Sequence, residues 1–156
     1  MKEPYIPIFF SLEELTRSSI AQRMGVNNEP SNEHRANLLD LIKNVLDPAR
    51  RAWGKPIIVS SGYRSQAVND AINANGGHAS ANSMHMKGLA ADIQAKGGAE
   101  QNKLLFDAIA ASNIPFHKMI NEEGYRWIHI SFDPSAKKPL RHLLDGVQGK
   151  YSIHKV

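Results

Sequence analysis

The stretch FHKMINEEGYRWIHISF, residues 116–132, constrains the fold more than any other part of the chain. FHKMI and RWIHISF read as two strands, joined by NEEGY as a hairpin-like turn with Gly124 available for positive φ. Alternation in the second strand is strict. Trp127, His129 and Ser131 share one face, while Ile128, Ile130 and Phe132 line the other. Such a hairpin must bury its apolar face and can leave His129 on display, so the rest of the chain has to supply a cover.

Helical periodicity supplies it. SLEEL begins a helix in which Ser11 can act as cap, Glu14 stands three residues on, and Phe10 can staple onto Leu15. Ile20 and Met24 continue its apolar face to a stop at Gly25. Leu38, Ile42, Val45, Ala49 and Trp53 recur at helical spacing and predict a longer helix closed by Gly54, with Pro48 expected to kink or break it near Asp47. PIIVSS, residues 56–61, reads as a strand, and a short helix with Val68, Ala71 and Ile72 follows. ANGGHASANSM lacks periodicity and reads as a loop; GLAADIQ reads as another strand. GAEQNKLLFDAIAAS predicts a helix with Leu104, Leu105, Ala108 and Ile109 on its apolar side. The order of elements predicts an α+β single domain, with a largely antiparallel sheet and flanking helices. Residues 1–133 are expected to form the domain. Residues 134–156 are expected as a basic C-terminal extension packed on it or trailing it, with RHLLDGVQGKYSIHK a solvated tail.

Composition narrows the chemistry. The 156 residues include no cysteine, which removes disulfides, thiolate metal sites and thiol nucleophiles. A net charge of +4 is mild and forms no dense stripe, so nucleic-acid binding is not expected, though a weak bias toward anionic partners remains. No run reaches transmembrane length, and MKEPYIPIFFSLEEL does not read as a signal peptide. The expectation is a monomer made in the cytoplasm, with no membrane insertion.

HMKGLAAD, residues 85–92, is the stretch that points to chemistry. Gly88, Ala90 and Asp92 share a strand face, so small residues clear the space in front of the aspartate on the side His85 can reach. Two neutral imidazoles and a carboxylate make a sound zinc set with a fourth position left for water, and His129 is the best third ligand by position. With seven histidines in the chain, the alternative stays open that these are surface or hydrogen-bonded core residues. Arg64, in SGYRS after a strand, can hold a carboxylate through a bidentate pair, or can pin a turn or an internal aspartate. Ser83 can donate to a substrate or cap its loop, and Tyr63 reads as packing. His78 and His117 can line a pocket edge; His34, His142 and His154 read as structural or surface residues.

Taken together, SGYRS, SMHMKGLAAD and RWIHISF resemble peptidase family M15, in particular its branch of zinc D-Ala-D-Ala carboxypeptidases and phage endolysins, over roughly residues 10–133. The resemblance implies a D-Ala-D-Ala carboxypeptidase-like fold of the hedgehog/DD-peptidase type. It implies one zinc ion per chain on His85, Asp92 and His129, with Arg64 on a substrate carboxylate and Ser83 contacting substrate. The substrate it implies is a peptide bond in the stem peptide or cross-bridge of bacterial peptidoglycan, reached at the cell wall or from a phage particle. One position departs from the pattern. Where relatives carry an acidic general base three residues before the last histidine, this chain has Arg126. Glu122 matches a glutamate that the branch keeps slightly earlier, with Glu123 as the fallback; the competing reading is a solvent-exposed acidic turn. Two other functions fit the same residues: a non-catalytic zinc-containing peptidoglycan-binding module of a phage structural assembly, and a metallopeptidase for another small peptide.

Overall fold

Two serines near the N-terminus each start a helix. In the structure, a computed structural model that describes residues 4–155, Ser11 Oγ accepts the Glu14 N–H at 3.0 Å and opens α1, Leu12–Thr16. Thr16 bonds back to the Leu12 carbonyl, and Arg17 leaves helical geometry. Ser18 then caps α2, Ser19–Met24, through the Ala21 N–H, and Gly25 ends it at φ 64°. The one helix expected here is therefore two, because the second serine competes for the backbone as a fresh cap. Phe10 and Leu15 do meet in the core.

The long helix persists through Pro48. α3, Asn32–Leu41, runs into a π-helical turn, Ile42–Leu46, and on into α4, Asp47–Trp53. Widening the turn makes room for a residue that lacks an N–H and whose ring would clash with the carbonyl four residues back. The irregularity expected near Asp47, a kink or a break, takes the form of a π-bulge without a break, and Gly54 closes the helix at φ 76°. Asp47, 1% exposed, accepts from the Ile8 and Phe9 amides and the Tyr5 hydroxyl, strapping the N-terminal segment over this junction.

After β1, Ile57–Ser61, come α5, Gln66–Ala74, β2, Ala90–Ala95, and α6, Ala99–Ala110. β3, Lys118–Glu122, and β4, Trp127–Ser131, form the expected hairpin. β5, His142–Val147, and β6, Lys150–Ile153, follow. The six strands make one sheet in the order β1-β2-β4-β3-β5-β6, antiparallel throughout except at β3–β5. The fold is α+β: a single domain with a mixed, largely antiparallel sheet and flanking helices.

Helices cover one face of that sheet, where Leu38, Ile42, Leu46, Phe106 and Ile109 meet Ala91, Ile93, Ile128 and Ile130. α6 buries Asn102, Leu105, Phe106 and Ile109 at i, i+3, i+4 and i+7, which leaves Leu104, expected on the apolar side, 49% exposed. RHLLDGVQGKYSIHK, expected as a solvated tail, supplies β5 and β6. Arg141 anchors its start, donating to the Ile114 and Ser112 carbonyls at 2.9 and 2.8 Å while stacking on Phe116.

Candidate metal centre

Asp92 lies opposite His129 across β2 and β4, and His129 lies opposite Ile120 across β4 and β3. Directly paired residues share a face. The alternation that buries Ala91, Ile93, Ile128 and Ile130 therefore delivers Asp92 and His129 together on the other side. His85 arrives differently, from a 3-10 turn, Met84–Lys87, that ends at Gly88 with φ 75°. Gly88 is not part of the strand, as its position in GLAADIQ had suggested. A β-carbon there would meet the His34 carbonyl at 2.6 Å, so only glycine lets the turn both reverse and lie against α3.

One ligand atom from each of His85, Asp92 and His129 lies within 4.8 Å of the others, the one such group of three among the described residues. His85 Nε2 is 3.3 Å from Asp92 Oδ1, and His129 Nδ1 is 3.1 Å from the same oxygen. Tetrahedral zinc, with bonds of about 2.0–2.1 Å, needs donor separations of roughly 3.3 Å. The hydrogen bonding fits as well. His85 Nδ1 is 2.7 Å from the Gly62 carbonyl, which can only accept, so the proton of the neutral ring sits on Nδ1. In the neutral ring Nε2 then carries the lone pair, free for a metal ion; once protonated, the ring is a cation that donates from Nε2 to Asp92 Oδ1. Burial opposes ionisation of Asp92, but hydrogen bonds and positive charge from His129 and His85 outweigh it and hold the carboxyl well below the ordinary range. Its anionic form is the one a metal requires.

The neighbouring loop is tied to this cluster. The Arg64 amide donates to the His85 carbonyl at 3.1 Å, and its Nη2 donates to Ser83 Oγ at 3.0 Å. Ser83 Oγ also accepts the His85 N–H at 3.2 Å, so it caps the turn and anchors the arginine at once. Arg64 Nε is shielded from solvent with no protein partner. Burial lowers its pKa, against the opposing charge of Asp92. Gly62 passes so close to the Leu15 carbonyl that no side chain fits, and Tyr63, 5% exposed, packs beside it with its hydroxyl 3.0 Å from His34 Nδ1.

Glu122 sits opposite Trp127, on the same face as His129, and is 8% exposed. Burial, then the negative charge of Asp92, pushes its pKa up. It is thus not the solvated acid of an open turn. Glu123 is otherwise engaged: its Oε1 accepts the Gln148 N–H at 2.6 Å, and its backbone has φ 51°. Arg126 is exposed, just before β4. His78 is exposed in its loop, and neither it nor His117 joins the cluster.

Two asparagines that no motif marks out hold the frame. Asn28 donates to the Thr16 and Tyr63 carbonyls at 2.7 and 3.1 Å and accepts the Ser65 N–H at 2.8 Å, fixing the GYRS loop. Asn102, 1% exposed, accepts from the Ala95 amide at 2.7 Å and donates to the Tyr125 carbonyl at 2.8 Å, tying the β3–β4 turn to α6.

A family model described as Peptidase M15 matches residues 9–131. No curated protein and no solved structure matches the chain.

Proposed function

Because the chain belongs to the peptidase M15 family, we propose that it is a zinc-dependent peptidase that hydrolyses a peptide bond in the stem peptide or cross-bridge of bacterial peptidoglycan. The observation that carries this reading is His85 Nε2 facing Asp92 Oδ1 at 3.3 Å, with His129 Nδ1 at 3.1 Å from that oxygen. A zinc ion held by His85, Asp92 and His129 would supply Lewis acidity toward water and toward the scissile carbonyl. The protein's own groups do the rest. Glu122, its pKa raised by burial, accepts a proton from the attacking water and returns it to the leaving amine. Arg64, held by Ser83, offers its fork to a carboxylate of the stem peptide. Ser83 then contacts the same part of the substrate. The reaction needs no nucleophilic side chain, in keeping with a sequence without cysteine.

Digestion of purified peptidoglycan, with mass analysis of the released fragments, tests the activity and identifies the bond. Glu122→Gln keeps the size of the side chain and removes its basicity. It should cost on the order of 100-fold in turnover at unchanged metal content. Wild-type cleavage by E122Q would remove Glu122 from the mechanism. If zinc-loaded wild type binds walls of every chemotype tested yet releases no fragment, the protein is a binding module, the reading that Arg126 in the usual position of the base favours.

A further inference from the structure

The β5–β6 hairpin lies outside residues 9–131, yet it grips both acidic residues at the end of β3. The Glu123 N–H donates to the Gly146 carbonyl at 2.8 Å, and the Glu123 carboxylate accepts from Gln148. Gly146 is the register partner of Glu122 on one side and of Tyr151 on the other, so the three stand in a row across three strands. A β-carbon at Gly146 would lie 2.7 Å from Glu122 Oε2 and 2.7 Å from Tyr151 Cε1. The absent side chain makes a slot that the carboxylate and the tyrosine ring share. From the far wall, the Tyr151 hydroxyl donates to Glu122 Oε1 at 3.4 Å.

We propose that Tyr151 is a positioning residue for Glu122, and that the β5–β6 hairpin completes the reaction site by seating that carboxylate in the Gly146 slot. The proposal rests on the reading of Glu122 as the group that moves the proton. A glutamate has three side-chain torsions, and one lying on a sheet face can swing out to water. Between the Gly146 backbone and the Tyr151 ring it has little room to do so. A hydrogen bond on Oε1 sets the plane of the carboxylate and leaves Oε2 for the proton. The bond is long, and such contacts commonly tighten when substrate is bound. Tyr151 is 55% exposed. Its place on an open strand owes little to core packing, which makes its contact with a buried carboxylate the more informative.

The test compares full-length, zinc-loaded wild type and Tyr151→Phe on soluble peptidoglycan fragments. Phenylalanine keeps the ring against Gly146 and deletes the donor. kcat should fall roughly three- to tenfold, the effect of one hydrogen bond of ordinary net strength, with KM and zinc content unchanged. The acid limb of kcat/KM should also move to higher pH, since the lost bond favoured the charged carboxylate. Gly146→Ala is the second variant and stands in if Y151F does not fold. The glycine has no positive φ, so the new methyl acts on Glu122 and Tyr151 rather than on the backbone. Its kcat should fall at least as far. Folded variants with wild-type kcat and an unmoved acid limb, alongside an E122Q that has lost about 100-fold, would overturn the role of the hairpin and leave Glu122 in place. An E122Q of wild-type activity would remove both.

Discussion

His85 has one ring nitrogen committed to the Gly62 carbonyl and one turned to Asp92. Truncating it should abolish metal binding while sparing the fold. His85→Ala is expected to lose most of the roughly one equivalent of zinc that wild type retains after dialysis, as read by metal analysis. Retention by H85A would take the residue out of the ligand set. Arg64→Lys keeps the charge and loses the planar fork. It should fold and bind zinc normally but lose catalytic efficiency on a carboxylate-bearing stem peptide; a collapse in thermal stability would mark Arg64 as a structural pin. Asn28→Ala, in contrast, should cost stability, about 2–3 kcal/mol by denaturant unfolding, because it strands carbonyl and amide groups of the GYRS loop. The difference between these residues is also the difference in what could be read beforehand. Metal binding restricts a site to a few residue types, so His85, Asp92 and His129 stood out in the sequence. Asn28 sits in a polar connector, where asparagine is common, and its role exists only once Thr16, Tyr63 and Ser65 converge on it.

Elements were legible where one face is buried against helices. The alternation in RWIHISF fixed which side His129 occupies, and the structure keeps it. β5 and β6 were not legible for the complementary reason. β6 is exposed along its whole length and β5 has a single buried position, so neither carries a period-2 apolar pattern. Pro48 marks the place of an irregularity but not its kind, since the cost of a proline inside a helix can be met by a single π-turn as well as by a break. The run GLAADIQ reads as a strand from Gly88 on, whereas in the structure Gly88 is the hinge that turns His85 inward. Gly88→Ala would force φ 75° on a residue with a β-carbon and drive that carbon toward the His34 carbonyl. It should destabilise by about 2 kcal/mol or more and weaken zinc binding, although no ligand has been changed. Thermal unfolding and a metal titration on the same sample would check both; unaltered affinity would mean that the 3-10 turn is held without its glycine.

At the scale of the whole molecule, the ligands lie on a turn and two strands, so a bound ion should stabilise the entire domain. Zinc at 100 times its Kd should add about 2.7 kcal/mol, seen as a raised melting temperature that a chelator reverses and H85A never shows. High pH attacks from another direction. Tyr5 donates to buried Asp47, and that bond, with burial, raises the pKa of its hydroxyl. The stabilisation is full below the ordinary tyrosine value of about 10 and is lost as pH rises through the higher folded value. Wild type should therefore lose melting temperature more steeply than Tyr5→Phe above that pH. Chain order adds a consequence in time. The metal ligands are complete at residue 129, whereas the slot around Glu122 is built by residues 146–151, across the lone parallel pairing of the sheet. Synthesis runs from the N-terminus, so the ligands emerge before the residues that build the slot. A chain still being made should then be able to hold metal before it can seat Glu122, and for that interval it is a chelator and not yet an enzyme.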